Sequence, residues 1–389
     1  MDQEDVRKEA VRRFLGGERS RRICSEFRRS KRWLLKWAQR SKTGGPDWFK
    51  GRDKKPERCP HQTDLRMEQQ VIEARKKLEV SKYSQVGPLA VAWELHQAGV
   101  KAPPPRTISR ILRRHGLVHH KERYVPKGKD YPEIPALTPH EVHQMDIVGP
   151  RFISGDGRFY SINVMDVFTG KTALNPSRQR TDADVLRALV ATWQRLAIPK
   201  YLQMDNQLPL RGSNRYPRSF GLVIRLCLHL GIEPVFIPRG EPWRNGVIER
   251  FQDVFDKLFF RTQTFTSLEA LGEEAARFEQ FHNENHRYST RDGQAPNERE
   301  TQPHRLSEGF ELPSELYLKP GRIRLFRFIR SDGVLDVFGL KFKMPENVVY
   351  EYVTAIIDTA SQRLTVIHDA RTVHQEDFTV SDKPMKAPW

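Results

Sequence analysis

The sequence predicts a multidomain protein with all-α helix-turn-helix units at the N-terminus, an α/β core in the middle and a small β-barrel at the C-terminus. Apolar residues recur at helical spacing up to about residue 118. Strand-like and helix-like segments then alternate between about residues 140 and 300, and short β runs separated by turn residues occupy 321–380. A chain of 389 residues is also too long for one typical core, so we expect several domains.

The predicted domain boundaries follow changes in composition along the chain. Two basic, proline-containing segments show no sustained periodicity and are predicted to be linkers. The predicted order is a first helix-turn-helix domain at 1–42, a linker at 43–63, a second helix-turn-helix domain at 64–118, a linker at 119–138, the core at 139–303 and the β-barrel at 315–382.

The first domain is predicted to contain three short helices with a basic surface. The first helix covers residues 4–15, Ser30 is placed to cap the third, and Trp33 and Trp37 of the third would face inward. The cations expected to meet DNA are Arg28, Arg29, Lys31, Arg32 and Lys36. Because an apolar seam and a cationic face coincide in one small unit, we favour a DNA-reading helix-turn-helix over an ordinary basic three-helix bundle.

A second set of three helices follows the first linker. Its last helix is predicted to begin with Thr107 after a proline run. The cations on or beside this helix are Arg106, Arg110, Arg113 and Arg114. Two reading heads in tandem would cover an extended DNA sequence, whereas the alternative is a helical spacer.

The positive charge of the chain is concentrated in its first third. Residues 1–130 hold 33 Lys and Arg against 16 Asp and Glu, while residues 131–389 hold 33 against 33, and the whole chain carries a formal net charge of +17. Such a field attracts a polyanion, so nucleic acid is the expected partner. No apolar run is long enough to cross a membrane and the first residues are charged, so we expect a cytoplasmic protein, associated with the bacterial nucleoid when bound to DNA.

The three cysteines, Cys24, Cys59 and Cys227, are far apart and form no Cys-x-x-Cys pair. They therefore predict neither a disulfide framework nor a Cys-x-x-Cys zinc pair, and we expect no structural zinc.

Three carboxylates in the core have positions suited to metal chemistry. Asp146 lies in a strand that otherwise needs apolar neighbours, and Asp205 ends another strand, where ligands of α/β sheets gather. If residues 247–259 form one helix, Glu249 points away from its apolar stripe. Three separated carboxylates can hold two divalent cations for phosphodiester displacement. The competing acids are Asp166, Asp253 and Asp256, of which Asp166 is expected to cap a turn.

The order of these acids resembles a known family. Asp146 in a strand, MDN at Asp205, NGVIER at Glu249, then FHNENHR and Ala295-Pro296, is similar to the integrase core of insertion-sequence transposases and retroviral integrases. The resemblance covers about residues 138–300. It implies a ribonuclease-H-like fold with a catalytic DDE triad that binds Mg²⁺ or Mn²⁺, two ions per active site.

The resemblance also implies roles for other groups and for partners. Asn206 would support the site, Asn245 and Gly246 would shape the helix start, and Arg250 would meet DNA. The family acts on double-stranded DNA, both mobile-element ends and target, as a homo-oligomer. The sequence leaves open whether a helper ATPase takes part.

Two features depart from the family pattern. Gln207 stands where a glycine is common, and 43 residues separate Asp205 from Glu249, more than is usual. The polar segment LPLRGSNRYPRS can absorb the surplus as a loop extension, because loops accept insertions at little cost.

The sequence therefore predicts a DDE transposase or integrase that binds transposon ends and catalyses metal-dependent DNA cleavage and strand transfer. The main alternative is a non-catalytic DNA-binding regulator that uses the core for oligomerisation, and a non-specific nuclease is a third. In the predicted barrel, the cations Arg322, Arg324, Arg327 and Arg330 would either touch DNA or protein or belong to a plain structural barrel.

Overall fold

The computed structural model describes residues 2–51, 63–118, 131–213, 215–216 and 218–387. It contains two compact units, Met1–Asp64 and Leu65–Trp389. Most of the two predicted linkers, at 52–62 and 119–130, lies outside the described residues. None of the described helices is long and apolar enough to span a lipid bilayer.

The first unit contains three helices, α1 (Gln3–Leu15), α2 (Ser20–Glu26) and α3 (Lys31–Thr43). They pack around small apolar clusters that contain Ile23 and Trp37. The Oγ of Ser30 accepts a hydrogen bond from the backbone N of Trp33 at 3.2 Å, so Ser30 caps α3 as its residue type and position predict.

The second unit begins with three more helices, α4 (Leu65–Val80), α5 (Pro88–Gln97) and α6 (Pro105–Arg114). Their core includes Val71, Val91 and Ile108. α6 starts two residues before the predicted Thr107, because proline is well tolerated in the first turn of a helix. Tyr83, in the α4–α5 connection, packs against Phe278 at a ring-centroid distance of 5.2 Å.

The centre of the second unit is one mixed α/β assembly with a nine-stranded sheet. The first five strands are β1 (Val142–Ile153), β2 (Gly157–Asp166), β3 (Thr172–Ser177), β4 (Tyr201–Met204) and β5 (Glu233–Phe236). β2 pairs antiparallel with β1 and β3, while β4 pairs parallel with β1 and β5. The helices are α7 (Asp182–Arg195), α8 (Leu208–Arg211), α9 (Leu222–His229), α10 (Gly246–Phe255) and α11 (Leu268–Asn285).

Alternation along β1 divides its side chains between two layers of helices. Met145 and Ile147 belong to the cluster that includes α7 and α9. Gln144 and Asp146 point to the opposite face, where Gln144 contacts the start of α10. α10 is shorter than the predicted helix, since Asp256–Phe260 continues it as a π-helical turn.

The C-terminal strands do not form the separate small barrel that the sequence predicts. The remaining strands are β6 (Glu315–Leu316), β7 (Arg322–Phe328), β8 (Val334–Val337), β9 (Leu340–Lys343), β10 (Tyr352–Asp358), β11 (Arg363–His368), β12 (Arg371–Asp377) and β13 (Met385–Lys386). The sheet order is β12-β11-β10-β7-β5-β4-β1-β2-β3, so β7 joins the core sheet beside β5. The predicted strands are present. Their alternation of apolar residues indicates which face of each strand is buried, but it does not indicate which strand lies beside it.

Candidate active site

The register between β1 and β4 places two of the predicted acids side by side. Gln144 lies directly opposite Gln203 in this parallel pair. Asp146 and Asp205 each follow two residues later, and side chains two residues apart in extended chain share a face. Asp146 and Asp205 therefore follow the last paired residues on neighbouring strands, at the point where β4 has just ended.

The same two strands fix the start of α10, which carries Glu249. The Oε1 of Gln144 accepts hydrogen bonds from the backbone N of Val247 and of Ile248, both at 3.1 Å. These contacts satisfy two of the amides that a helix leaves unpaired at its N-terminus.

Asn245 connects the helix start to both strands. Its Nδ2 donates to the carbonyl O of Met145 at 2.9 Å, and its Oδ1 accepts from Nε2 of Gln203 at 3.1 Å. Gly246 is the first residue of α10. Glu249 lies in the first turn of a helix whose start is bonded directly to the strands leading to Asp146 and Asp205.

A polar network that sequence reasoning missed orients Asp146. Gln252 lies one turn after Glu249, and its Nε2 donates to Oδ2 of Asp146 at 3.4 Å. The Oε1 of Gln252 accepts from Nδ2 of Asn163, at 3.0 Å, and Ser161 donates its hydroxyl to Asn163 at 2.6 Å. The spacing of Gln252 from Glu249 was a usable signal, because residues three apart share a helix face.

Asp205 is held by Gln207, the residue that departs from the family pattern. The backbone N of Gln207 donates to Oδ1 of Asp205 at 2.9 Å, and its Nε2 donates to Oδ2 at 2.7 Å. Arg180 donates to the side-chain oxygen of Gln207 at 3.0 Å. Both carboxylate oxygens of Asp205 therefore accept hydrogen bonds from one neighbour.

Electrostatics connect Asp146 with each of the other two acids. Burial raises the pKa of Asp146 above its ordinary value, and the nearby charge of Asp205 raises it further. Burial likewise raises the pKa of Glu249, and the charge of Asp146 adds to that rise. Asp146 thus interacts with both other carboxylates, so a cation between them would relieve the repulsion.

The donor set fits hard divalent cations. Carboxylate oxygens are the ligands that Mg²⁺ and Mn²⁺ prefer. Within the residues that the structure describes, the one group of three His, Cys, Asp or Glu ligand atoms within 4.8 Å of one another is His140, His143 and Asp166. At least one pair among the ligand atoms of the three predicted acids is therefore more than 4.8 Å apart.

The competing acids have other contacts. Asp166 caps the β2–β3 turn, as predicted, by accepting hydrogen bonds from the backbone N of Thr169 at 3.0 Å and from its hydroxyl at 2.6 Å. Asp253 is exposed and pairs with Lys257, and Asp256 pairs with Arg151.

The cations predicted to contact DNA are all exposed, each within its own unit. In the first unit they lie on or beside the start of α3, and in the second they lie on or beside α6. Arg114 is also bonded to Glu68 at 2.5 Å. Arg250 is exposed and follows Glu249 directly. A cavity of about 850 Å³ lies along the start of α10 and is lined by Gln144, Trp243 and Arg250, among others.

Asn206 and Arg327 join the end of β4 to the C-terminal strands. Arg327 of β7 donates to Oδ1 of Asn206 at 2.7 Å and to the carbonyl O of Ile237 at 3.1 Å. It also donates to the carbonyl O of Asp336 at 3.0 Å. Burial lowers the pKa of Arg327 to about 9. Because only 5% of Arg327 is exposed, it acts as a structural residue and not as a surface contact for DNA.

Comparisons with known proteins give structural likenesses alone. The chain matches no protein-family model and no curated protein. Among solved structures, it resembles the HTLV-2 integrase catalytic core domain in complex with magnesium, in a dimeric form (15% identity, TM-score 0.33) and a trimeric form (14%, 0.34). Each covers 42% of this chain and 99% of the neighbour. The chain also resembles a simian T-cell lymphotropic virus intasome in complex with PP2A regulatory subunit B56 gamma, with 12% identity and a TM-score of 0.38. This match covers 77% of this chain and 99% of the neighbour's chain. Scores of this size do not decide the family.

Proposed function

We propose that this protein is a polynucleotidyl transferase that cuts and joins DNA with the help of divalent cations. Within that class, it fits a DDE transposase or integrase that acts on the ends of a mobile element. The proposal is supported by the register that sets Asp146 beside the end of β4, where Asp205 lies, and by the bonds from both strands to the start of the helix that carries Glu249.

Asp146, Asp205 and Glu249 would hold two Mg²⁺ or Mn²⁺ ions. When bound, these cations supply charge stabilisation for the attacking and leaving oxygens of an in-line displacement. Gln252 would hold the Asp146 carboxylate in place, and the contacts of Gln144 with α10 would keep Glu249 at a fixed distance.

The chemistry is a pair of phosphodiester displacements. In the first, the oxygen of a water attacks the phosphorus at the element end, the bond to the 3′ oxygen of the element's terminal nucleotide breaks, and that oxygen takes up a proton as the water loses one. In the second, the freed 3′-hydroxyl of the element end loses its proton and attacks a target phosphorus, and the 3′ oxygen of the target strand leaves and takes up a proton. No covalent bond to the enzyme forms, so the residues have to position the reactants and balance charge.

DNA would be bound by the exposed cations of the two helical regions, with Arg250 close to the reacting strand. The cavity beside α10 is lined in part by Arg250, and a positively charged lining suits a negatively charged phosphate backbone. Synapsis of two DNA ends would bring two or more copies of the chain together, with one copy holding an end and another cutting it.

One observation favours a non-catalytic DNA-binding regulator as the second candidate. Gln207 donates a hydrogen bond to each oxygen of Asp205, so a cation would share both oxygens with these donors. In that case the helical regions would bind DNA and the core would serve as an oligomerisation surface.

A strand-transfer assay separates these candidates. The full chain is incubated with DNA carrying the element ends and target DNA, with Mg²⁺ or with a chelator, and joined products are measured. We expect joining that requires Mg²⁺, is lost in Asp205→Asn and is retained in Asp253→Asn, an exposed acid on the helix that carries Glu249. DNA binding without joining would favour the regulator. Joining by Asp205→Asn would reject the triad, and degradation without joined products would indicate a nuclease.

A further inference from the structure

A second group of metal-ligand side chains lies on β1 and β2, away from the acids of the proposed active site. His140 precedes β1, His143 lies within it, and Asp166 ends β2 directly opposite His143. One ligand atom from each residue lies within 4.8 Å of those of the other two. His143 and Asp166 have no exposed surface, and His140 is 7% exposed.

The two imidazoles are close to the spacing of ligands on one metal ion. Nδ1 of His140 and Nε2 of His143 are 3.1 Å apart. A tetrahedral zinc with Zn–N bonds of about 2.0–2.1 Å separates two nitrogens by about 3.3 Å. His140 also has a left-handed backbone (φ 59°), a conformation that non-glycine residues retain where their surroundings enforce it.

His143 has an unsatisfied polar atom in the interior. Its Nδ1 is buried without a hydrogen-bond partner, which carries a free-energy cost. Either ring nitrogen can supply a lone pair once a cation replaces the contact with His140.

Asp166 keeps an oxygen with spare acceptor capacity. Its Oδ2 accepts the two hydrogen bonds from Thr169, whereas Oδ1 accepts one long contact, 3.4 Å, from the backbone N of Phe168. The Oδ1 atom can therefore bind a cation without loss of the turn cap.

Glu300 supports His140 from the other side of its ring. An oxygen of Glu300 lies 3.0 Å from Nε2 of His140, and the second oxygen pairs with Lys171 and Arg305. A carboxylate on the distal nitrogen of a histidine fixes its tautomer and orientation, and this arrangement is typical of histidines that bind metals.

We propose that His140, His143 and Asp166 bind one Zn²⁺ ion, which fastens the start of β1 to the β2–β3 turn. Two imidazoles and one carboxylate suit Zn²⁺ better than Mg²⁺, which prefers ligands that are all oxygen. Three protein ligands with a water as the fourth is the ligand set of catalytic zinc sites, and here it would hold an ion with a structural role. The ion would stabilise the strand that carries Asp146, three residues beyond His143, and it is independent of the proposed DNA chemistry.

Metal analysis of the tag-free full chain tests this site. We expect one tightly held zinc per chain after dialysis, and a melting temperature that falls on chelation and recovers when Zn²⁺ alone is added. His140→Gln, His143→Gln and Asp166→Asn should each lose the ion. His96→Gln, an exposed histidine on α5, and Asp205→Asn in the proposed active site should both retain it.

Two results would overturn the zinc site. One is an unmodified protein without stoichiometric zinc and without a change in melting temperature on adding Zn²⁺. The other is full zinc content in a folded His140→Gln variant, checked by circular dichroism. Should the variants fail to fold, Co²⁺ loading of the unmodified chain decides, because four-coordinate Co²⁺ gives strong visible absorption bands and their absence would reject the site.

Discussion

Two groups of candidate metal-ligand side chains share β1, and they differ in how their charge is balanced. Asp146 and Glu249 are partly exposed, and each is close to another negative charge. His140, His143 and Asp166 are buried, and Glu300 beside them is paired with Lys171 and Arg305. The first group leaves a charge for exchangeable cations to neutralise, whereas the second is arranged for an ion that stays. One strand, β1, thus contributes to both the proposed reactive site and the proposed structural one.

The largest expected difference between the two groups is in DNA joining. Asp146→Asn should lower the strand-transfer rate by on the order of 10³-fold, because loss of a metal ligand removes several kcal/mol of transition-state stabilisation. Folded Asp166→Asn should stay within about tenfold of the unmodified rate, a difference of about 1.4 kcal/mol. Single-turnover rates at saturating DNA measure this, and equal losses in the two variants would contradict the separation of the groups.

Gln252 should have the next largest effect. Gln252→Ala removes the donor to Asp146 and leaves Asn163 without its partner, so we expect the rate or the Mg²⁺ affinity to fall by about 10–100-fold. A titration of strand transfer against Mg²⁺ distinguishes weaker metal binding from a slower chemical step. The control is Gln280→Ala, a glutamine on α11 that bonds to Glu284. An unchanged strand-transfer rate and an unchanged Mg²⁺ affinity in Gln252→Ala would show that Asp146 needs no positioning partner.

Stability should respond to Asp166→Asn even without any metal. The substitution replaces an acceptor oxygen of the β2–β3 turn with a donor, which leaves a buried group of Thr169 or Phe168 unsatisfied. We expect a loss of about 1–3 kcal/mol in the free energy of unfolding. Chemical denaturation in chelator measures the loss, with Asp253→Asn as the exposed control. An unchanged midpoint would reject the turn-capping role.

Asp146→Asn should stabilise the folded chain, whereas Asp166→Asn should destabilise it. The stabilisation should be the smallest of the effects predicted here. Because burial and Asp205 raise the pKa of Asp146, its charged form is less favourable in the folded chain than in the unfolded one. In metal-free buffer this penalty is absent in acid and develops as pH rises through the raised pKa. Asp146→Asn removes the penalty, so we expect a melting temperature higher by roughly 1–2 °C in mildly alkaline buffer.

Thermal scans in chelator at several pH values measure this effect. The advantage of Asp146→Asn should shrink in acid. Added Mg²⁺ should raise the melting temperature of the unmodified chain more than that of the variant. A variant that is less stable than the unmodified chain in alkaline chelator would indicate that Asp146 is not under charge repulsion.

The acids of the candidate site were predictable because each carries a local signal. Asp146 interrupts an apolar strand, Asp205 ends a strand, and Glu249 lies off the apolar stripe of its helix. Their roles as metal ligands stay predictions, but the structure places them where those signals indicate. The turn cap by Asp166 was likewise predictable, because aspartate commonly bonds to backbone amides two or three residues ahead.

The histidine group was not found from the sequence, because its geometry depends on strand register. His140 and His143 are three residues apart, which is a local signal, but Asp166 joins them solely because β2 pairs with β1 in one particular alignment. No structural zinc was expected from the sequence, because its cysteines form no Cys-x-x-Cys pair. The separate barrel was predicted wrongly for a similar reason. The sequence indicated each strand, but it did not indicate which strands pair with one another.

The pairing of β7 with β5 has a practical consequence for fragments of this chain. A fragment that ends near residue 303 would expose the edge of β5 and remove Arg327 from Asn206, the neighbour of Asp205. It would also uncover Phe236, which packs against Phe338 at 5.1 Å. An open, apolar edge of this kind recruits other strands, so such a fragment should aggregate.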